Sequence, residues 1–192
     1  MPSDVIDTLV GIAPGSPLDA VRAHRLVART HAQASYEALF APADMAGVAA
    51  EERLALAVFI CGLHGEAETG AFYATSLAET LRPAIEAAIA AGVTTGPYGN
   101  FPAGPLSGED SAGLDYRVDS RIAAPLGRRL VTAFEHAHML VFHPRDAAAP
   151  SLQAMLDAGW TTTDIVTLSQ IVSFLSFQIR AVAGLRILRN TP

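Results

Sequence analysis

The chain has 192 residues, of which 51% are hydrophobic and 17% charged, so it can bury the core of one domain or of two small halves. Its net charge is -6, with 13 basic residues that are all arginine and form no cluster, which argues against nucleic acid and membrane surfaces as partners and excludes lysine chemistry. The mean hydropathy of +0.30 is high for a soluble monomer, so we expect a homo-oligomer.

Cysteine content and the N-terminus bear on the compartment. Cys61 is the single cysteine, so no intrachain disulfide can form. The N-terminus carries Asp4 and Asp7 where a secretory signal would carry positive charge. Both features favour a cytoplasmic protein.

The first half of the chain is predicted to be helical after an irregular leader over residues 1–16. Residues Leu18–Leu39 have the apolar spacing of an amphipathic helix or of a broken pair of helices. Residues Ala49–Leu63 are almost continuously apolar after an acidic first turn, which predicts a central buried helix. Residues Glu66–Ala91 continue helical, and Pro83 marks a kink or a junction between two helices.

A long loop divides the chain. Residues 94–113 contain eight glycines and prolines, too many for a regular element. A loop of this length in a compact domain is usually a lid, an arm that reaches a neighbouring subunit, or a disordered connector.

The second half is predicted to contain helices over Asp119–Phe142, Ser151–Ala158 and Asp164–Leu188. Gly159 suits a left-handed helix end, and Thr161-x-x-Asp164 has the spacing of a capping box. The last helix is apolar but interrupted by polar residues, which predicts a buried helix of a soluble protein and not a membrane span. Because no segment alternates with period two, the predicted fold class is all-α.

The last helix also carries a recognisable pattern. It reads Phe174-x-Ser176-Phe177-x-x-Arg180-x-x-x-Gly184-Leu185 and follows Ala-Gly-Trp-Thr at 158–161. This pattern resembles the carboxymuconolactone decarboxylase/AhpD-like superfamily, and in particular its peroxidase-related branch. The resemblance is good over residues 119–188, where Ser176 and Ile179 replace the two usual asparagines, and looser over residues 17–81.

The resemblance implies one oligomeric AhpD-like domain over residues 1–192, built from two related helical halves. A weak sequence similarity between the two halves of the chain agrees with this arrangement. When Glu52 is laid on Asp164, the residues Cys61, His64 and Glu68 fall on Ser173, Ser176 and Arg180. We therefore expect residues 49–68 and 164–185 to form two long helices that pack together, with any activity between them.

The resemblance also implies a peroxidase-related oxidoreductase of the alkylhydroperoxidase type. Relatives of this kind carry Cys-x-x-Cys-x-x-x-His with a glutamate about a dozen residues upstream. This chain lacks the cysteine pair in every register of the motif. What is left is Cys61-x-x-His64-x-x-x-Glu68 on one helix face, with Glu52 (or Glu51) as the upstream carboxylate. This remnant would support at best a one-cysteine thiol peroxidase that passes through a sulfenic acid.

Several alternatives stay open at this stage. Cys61 is more simply a small buried hydrophobic residue, with His64 and Gly65 ending the helix. Two interpretations of Arg180 are open. In the first, Arg180 lines a pocket together with Ser176 and binds a carboxylate substrate. In the second, it forms an internal ion pair with Glu68, Glu66 or Glu52.

No metal or cofactor is predicted. His136 and His138 are two residues apart on a helix and therefore point about 160° away from each other, which prevents them from sharing one ion easily.

Three functions follow from these alternatives. The first is hydroperoxide reduction by a thiol. The second is acid–base chemistry without a thiol, as in a decarboxylase or lyase, on a carboxylate. The third is binding of a small molecule without catalysis. Fold alone does not choose among them.

Overall fold

A computed structural model of the protein describes residues 4–190 and shows an all-α fold. The nine α-helices in this range are α1 (Val5–Val10), α2 (Pro17–Ala23), α3 (Leu26–Phe40), α4 (Ala50–Leu63), α5 (Ala67–Ala74), α6 (Arg82–Gly92), α7 (Ser120–Phe142), α8 (Ala149–Asp157) and α9 (Thr162–Asn190). Single turns of 3-10 helix precede α6 (Glu79–Leu81) and α8 (Pro144–Asp146). Residues 4–190 contain no β-strand, which confirms the predicted fold class.

Helix α4 lies at the centre of the core. It packs against α5, α6, α7 and α9, and most of its side chains are fully buried. The ring of Phe59 on α4 stacks on that of Phe134 on α7 with a centroid separation of 4.2 Å. The absence of an exposed stripe explains the almost continuous apolar run of its sequence, because a helix that is apolar all round is buried all round.

The predicted irregular leader over residues 1–16 is wrong for its central part. Residues Val5–Val10 form α1, whose start is capped by the Asp4 side chain, which accepts a hydrogen bond from Asp7 N at 2.9 Å. The apolar side chains of Val5, Ile6 and Val10 form a second buried cluster with Val182 of α9. These contacts stabilise a helix that is too short to be stable alone. The first three residues of the predicted leader lie outside the described residues.

Two open predictions for the first half are resolved by the structure. Residues Leu18–Leu39 are a broken pair of helices, α2 and α3. Pro83 marks a junction and not a kink, because it lies in the first turn of α6, where a missing backbone N–H costs nothing.

The predicted pairing of two long helices is partly correct. Helices α4 and α9 pack against each other. The segment over residues 49–68 is not one helix, however, because α4 ends at Leu63 and Gly65 adopts a left-handed conformation with φ +70°. The chain turns there and restarts as α5.

Helix α9 begins as its sequence predicts. Thr161 N donates to Asp164 at 2.8 Å, and Asp164 N donates to the Thr161 hydroxyl at 3.2 Å, which completes the capping box. Gly159 is left-handed, with φ +95°.

By length and composition α9 is also suited to cross a membrane, a property shared by core helices of soluble proteins, and it is only partly buried. Its assignment as a soluble core helix therefore stays a prediction.

The helix ends on one side of the core are joined by Arg129 of α7. Its guanidinium donates to Glu52 of α4 at 2.7 Å and to Gly159 O at 2.8 Å. It also lies over the ring of Trp160, 3.6 Å from the centroid, and the buried indole N–H donates to Arg129 O at 3.0 Å. One arginine thus connects α4, α7 and the start of α9.

The predicted long loop is packed against the helices. Tyr98 and Tyr116 are buried, and their hydroxyls donate to Leu114 O at 2.7 Å and to Ala88 O at 3.1 Å. Tyr98 N donates to Phe142 O at 2.9 Å, which ties the loop to the end of α7. The loop therefore forms a wall over α7.

Arg53 is a buried cation that holds the segment before α4. Its guanidinium donates to three backbone carbonyl oxygens, Leu39 O at 2.7 Å, Met45 O at 2.9 Å and Val48 O at 2.9 Å. The side chain thereby satisfies backbone acceptors that would otherwise be buried without a donor.

We expect Arg53→Met to lower the free energy of unfolding by about 3 kcal/mol or more, because three charge-assisted hydrogen bonds are lost and their acceptors stay buried. Urea unfolding measures this change. Arg25→Met is the matched control, since Arg25 is exposed, and it should change stability by less than about 0.5 kcal/mol. Equal effects of the two substitutions would contradict the assignment.

Candidate functional site

Cys61, the residue on which a thiol mechanism depends, is fully buried in α4. Its Cβ lies beside Gly70 of α5, where an added Cβ would approach it to 3.3 Å. Burial, together with the nearby Glu66 carboxylate, raises the pKa of Cys61 to about 12. The thiol is therefore protonated at neutral pH and has the surroundings of an inert structural cysteine.

His64 lies at the end of α4 and contacts α9. Its Nε2 is 3.2 Å from the Ser176 hydroxyl. Burial and the charge of Arg180 lower the pKa of His64, so this histidine is neutral at neutral pH. The structure thus brings His64, Ser176 and Arg180 together between α4 and α9, although His64 supplies no positive charge that would favour a thiolate at Cys61.

Of the two alternatives for Arg180, the internal pairing with Glu68, Glu66 or Glu52 is wrong. Arg180 lies on the exposed face of α9, and its guanidinium donates to Ser176 O of the same helix at 2.7 Å. Arg186 forms the expected ion pair instead, 3.0 Å from Glu66 and 2.8 Å from Glu68. Six residues separate the two arginines, and this places them on different faces of α9.

The two predicted carboxylates, Glu52 and Glu68, do not join Cys61. Glu52 lies nine residues before Cys61 on α4, about 13 Å along the helix axis, and it pairs with Arg129. Glu68 belongs to α5, because the chain turns at Gly65, and it is therefore not on the helix face of Cys61. Both carboxylates join helices together.

A large cavity lies on the other side of α7. It has a volume of about 690 Å³ and lies between the long loop, α7, α8 and the turn before α8. Such a volume suits a small-molecule ligand. Its polar lining residues include Asp110, Asp115, Glu135, His136, His143 and Asp146.

His143 and Asp146 form a hydrogen-bonded pair in the cavity wall. Because a carboxylate only accepts, His143 Nδ1–H donates to Asp146 Oδ2 at 3.1 Å. The other oxygen of Asp146 accepts from Asn100 N at 2.8 Å, and the Tyr98 ring stacks on His143 with a centroid separation of 4.9 Å. The proton is thereby held on Nδ1, which leaves the lone pair of the imidazole on Nε2.

His136 brings a second imidazole to the same cavity, and the residue is only 6% exposed. The Ser169 hydroxyl gives its single hydrogen to Ile165 O at 2.8 Å, so it accepts from His136 Nε2–H at 2.9 Å. Nδ1 is then an unprotonated acceptor, and no group in the described chain donates to it. Burial lowers the pKa of His136 to about 4.

His138 points away from the cavity, as its spacing from His136 predicts. It is fully buried, and its Nε2–H donates to Gly92 O of α6 at 2.9 Å. Its ring stacks on that of Tyr116 with a centroid separation of 4.6 Å. Burial lowers the pKa of His138 to about 4.

Comparison of the chain with protein-family models, with curated proteins and with solved structures finds no match. The resemblance to the AhpD-like superfamily therefore stays a prediction. Any functional conclusion depends on the geometry of the residues themselves.

Sequence reasoning considered His136 only as a metal ligand and did not place it in a site with Glu135 and His143. The pairing of His143 with Asp146 had a detectable pattern, since the two residues are three apart across a Pro144 turn. The cavity itself had none, because the loop that closes it shows no periodic pattern. The cavity is nevertheless the place where titratable side chains converge.

Cys61 should be unreactive in the folded protein. With a pKa of about 12, only about one thiol in 10⁵ is ionised at pH 7, and burial excludes reagents. We expect no labelling by iodoacetamide or by a sulfenic-acid probe after substoichiometric peroxide, with complete labelling in urea. The measurement is mass spectrometry of the intact chain, and rapid native labelling would restore the thiol hypothesis.

Stability should fall as the pH drops from about 6.5 to about 4. The pKa values of His136 and His138 are lowered to about 4 in the folded state, so the unfolded chain binds more protons in this window. Each histidine should contribute up to about 3 kcal/mol that is fully present above pH 6.5 and lost at pH 4. Urea unfolding at pH 7.5 and pH 4.5 measures the difference.

His138→Gln is the informative variant for this pH dependence, because its amide keeps a donor for Gly92 O but does not titrate. The difference in stability between the two pH values should shrink in this variant. His24→Gln, at an exposed position, is the control and should leave the difference unchanged. A difference that is the same in both variants would show that the buried histidines are not its source.

Proposed function

We propose that the protein is an acid–base enzyme that binds a small molecule in the cavity and transfers a proton through His143. The hydrogen bond from His143 Nδ1–H to Asp146, in the wall of a cavity of about 690 Å³, carries this proposal. Histidine is the side chain best suited to accept and return protons near neutral pH.

The pair would work by fixing the state of the imidazole. Asp146 keeps one proton on Nδ1 and stabilises the positive charge that develops when Nε2 takes a second proton from the substrate. Asp146 is itself held by Asn100 N at 2.8 Å, so its position depends on the loop. The stacked Tyr98 ring limits rotation of the imidazole. The second proton then returns to the substrate or passes to water.

The surroundings of Cys61 favour this non-thiol alternative over a one-cysteine peroxidase. A peroxidatic cysteine needs a thiolate and access for the hydroperoxide. Cys61 is fully buried and has a raised pKa of about 12. Within the AhpD-like resemblance, the protein would therefore be a member whose chemistry does not use the thiol.

A second candidate site is the group formed by His64, Ser176 and Arg180. The separation of 3.2 Å between His64 Nε2 and the Ser176 hydroxyl favours it, because a neutral histidine so placed can act as a base. The exposed Arg180 would hold an anionic substrate such as the carboxylate that the resemblance implies. Substitution of His64 and of His143 in one assay separates this site from the cavity.

The predictions of self-association, cellular location and partners stay as proposals. Self-association would cover exposed apolar side chains on the outer face of α9, where Val166, Phe177 and Leu188 lie. A cytoplasmic location, without nucleic acid or membrane as a partner, agrees with the net charge of -6.

Deuterium exchange tests proton transfer without knowledge of the full reaction. The full-length protein is incubated in D₂O with a mixture of small metabolites, and mass spectrometry identifies any compound that gains deuterium at carbon. We expect His143→Asn to slow the exchange at least about 100-fold, because the base is removed. Asp146→Asn should also slow it, since the Nδ1 proton is no longer held.

His24→Asn, an exposed replacement, serves as the control and should exchange at the unmodified rate. His64→Asn tests the second site in the same assay. If His64→Asn abolished the exchange and His143→Asn left it unchanged, the activity would be assigned to the group of His64, Ser176 and Arg180 between α4 and α9. No exchange by the unmodified protein would contradict acid–base function at either site.

A further inference from the structure

We infer that the cavity accepts a small molecule that carries a protonated amine, and that Glu135 is the partner of the ammonium group. This inference rests on the proposed function only in that it concerns the same cavity. It names the ligand by charge and differs from the hydroperoxide or carboxylate that the family resemblance implies.

The charged lining of the cavity is mostly acidic. Asp110, Asp115, Glu135 and Asp146 bring carboxylates, and Arg117 is the cation in this lining. Arg117 is directed largely toward solvent, with a side-chain exposure of 68%, and it lies 3.3 Å from Asp115. The sum of these charges attracts a cation and repels a carboxylate.

Three hydroxyl donors in the wall are already in use. The Tyr98 hydroxyl donates to Leu114 O at 2.7 Å, and the Tyr116 hydroxyl donates to Ala88 O at 3.1 Å. The Thr132 hydroxyl donates to Arg129 O at 3.0 Å. These groups cannot give the same hydrogen to an oxygen-rich ligand. The side-chain donors left in the lining belong to Asn100, Ser111, Ser151 and the largely exposed Arg117, and the carboxylates and imidazoles supply acceptors beside them.

Two of these acceptors are imidazole nitrogens. His136 Nδ1 and His143 Nε2 carry lone pairs, as the hydrogen bonds of their other nitrogens show. His136 lines the cavity and is 6% exposed, and its buried Nδ1 is an acceptor whose hydrogen bond is not made within residues 4–190. An ammonium group has three donors and no acceptor, which matches such a wall.

Glu135 is the carboxylate best placed for this role. Its side chain is only 22% exposed, and it directly precedes His136 on α7. One oxygen accepts from Val118 N at 3.1 Å, and the other is 4.0 Å from the Arg117 guanidinium, beyond hydrogen-bond length. Asp115 is closer to Arg117, at 3.3 Å, and is 78% exposed. Glu135 thus keeps acceptor capacity in a partly desolvated position, where a charge-assisted hydrogen bond is strong.

The test compares three probes that share a five-carbon chain and differ in charge: 1,5-diaminopentane, pentane-1,5-diol and glutarate. Binding to the full-length protein at low ionic strength is followed by calorimetry, and NMR shift changes locate the bound probe. We expect the diamine to bind at least about tenfold more tightly than the diol, and glutarate not to bind. The advantage of the diamine should shrink as salt is added.

Glu135→Gln keeps an oxygen for Val118 N but removes the charge, so it should weaken diamine binding at least about tenfold and leave diol binding unchanged. Glu86→Gln, on the exposed face of α6, is the control and should bind as the unmodified protein does. The comparison of the three probes on the unmodified protein does not depend on how well the variant folds.

Three results would overturn the inference: binding of the diol or glutarate as tight as that of the diamine, no diamine binding, or diamine binding outside the cavity. Deuterium exchange that depends on His143 without preference for amines would leave the acid–base function standing and remove the ligand class. Diamine binding in the cavity without any deuterium exchange would support the ligand class and contradict the acid–base function.

Discussion

The burial of α4 between four other helices is the constraint on which the rest of the structure depends. Its middle is surrounded by α5, α6, α7 and α9, so a polar group there would lose water without gaining a partner. Polar side chains are accordingly found at its ends, where Glu52 pairs with Arg129 and His64 contacts Ser176. Cys61 lies in the last turn of α4 but is fully buried against α5, and its chemistry is suppressed by this burial.

Helix α7 connects the buried core around α4 with the cavity. Phe134 stacks on Phe59 inside the core, whereas the next two residues, Glu135 and His136, line the cavity. A rigid core face therefore holds the functional face in place. The loop over α7 completes the site by contributing Tyr98 and by positioning Asp146 through Asn100 N at 2.8 Å. Neither the helix nor the loop forms the cavity alone.

Local patterns in the sequence predicted local structure well. The capping box of Thr161 and Asp164 and the left-handed Gly159 are present as expected, because capping depends on residues three or four positions apart. The helix α1 was missed because its stability comes from contacts with Val182, far away in the chain. The internal pairing of Arg180 fails because α9, although long and apolar, is not covered on all of its faces. The candidate site was missed for a similar reason: Asp146 and Asn100 meet across 46 residues, and no periodicity encodes such a contact.

The position of Trp160 determines what optical spectroscopy can observe in this protein. It is the single tryptophan, it is 2% exposed, and it lies under the guanidinium of Arg129 where three helices meet. Its emission will thus move to longer wavelength when that junction opens and admits water. The cluster of α1 around Val182 contains no tryptophan, so detachment of α1 by itself would leave the emission spectrum unchanged. Fluorescence and circular dichroism should consequently diverge if the first helix melts before the core.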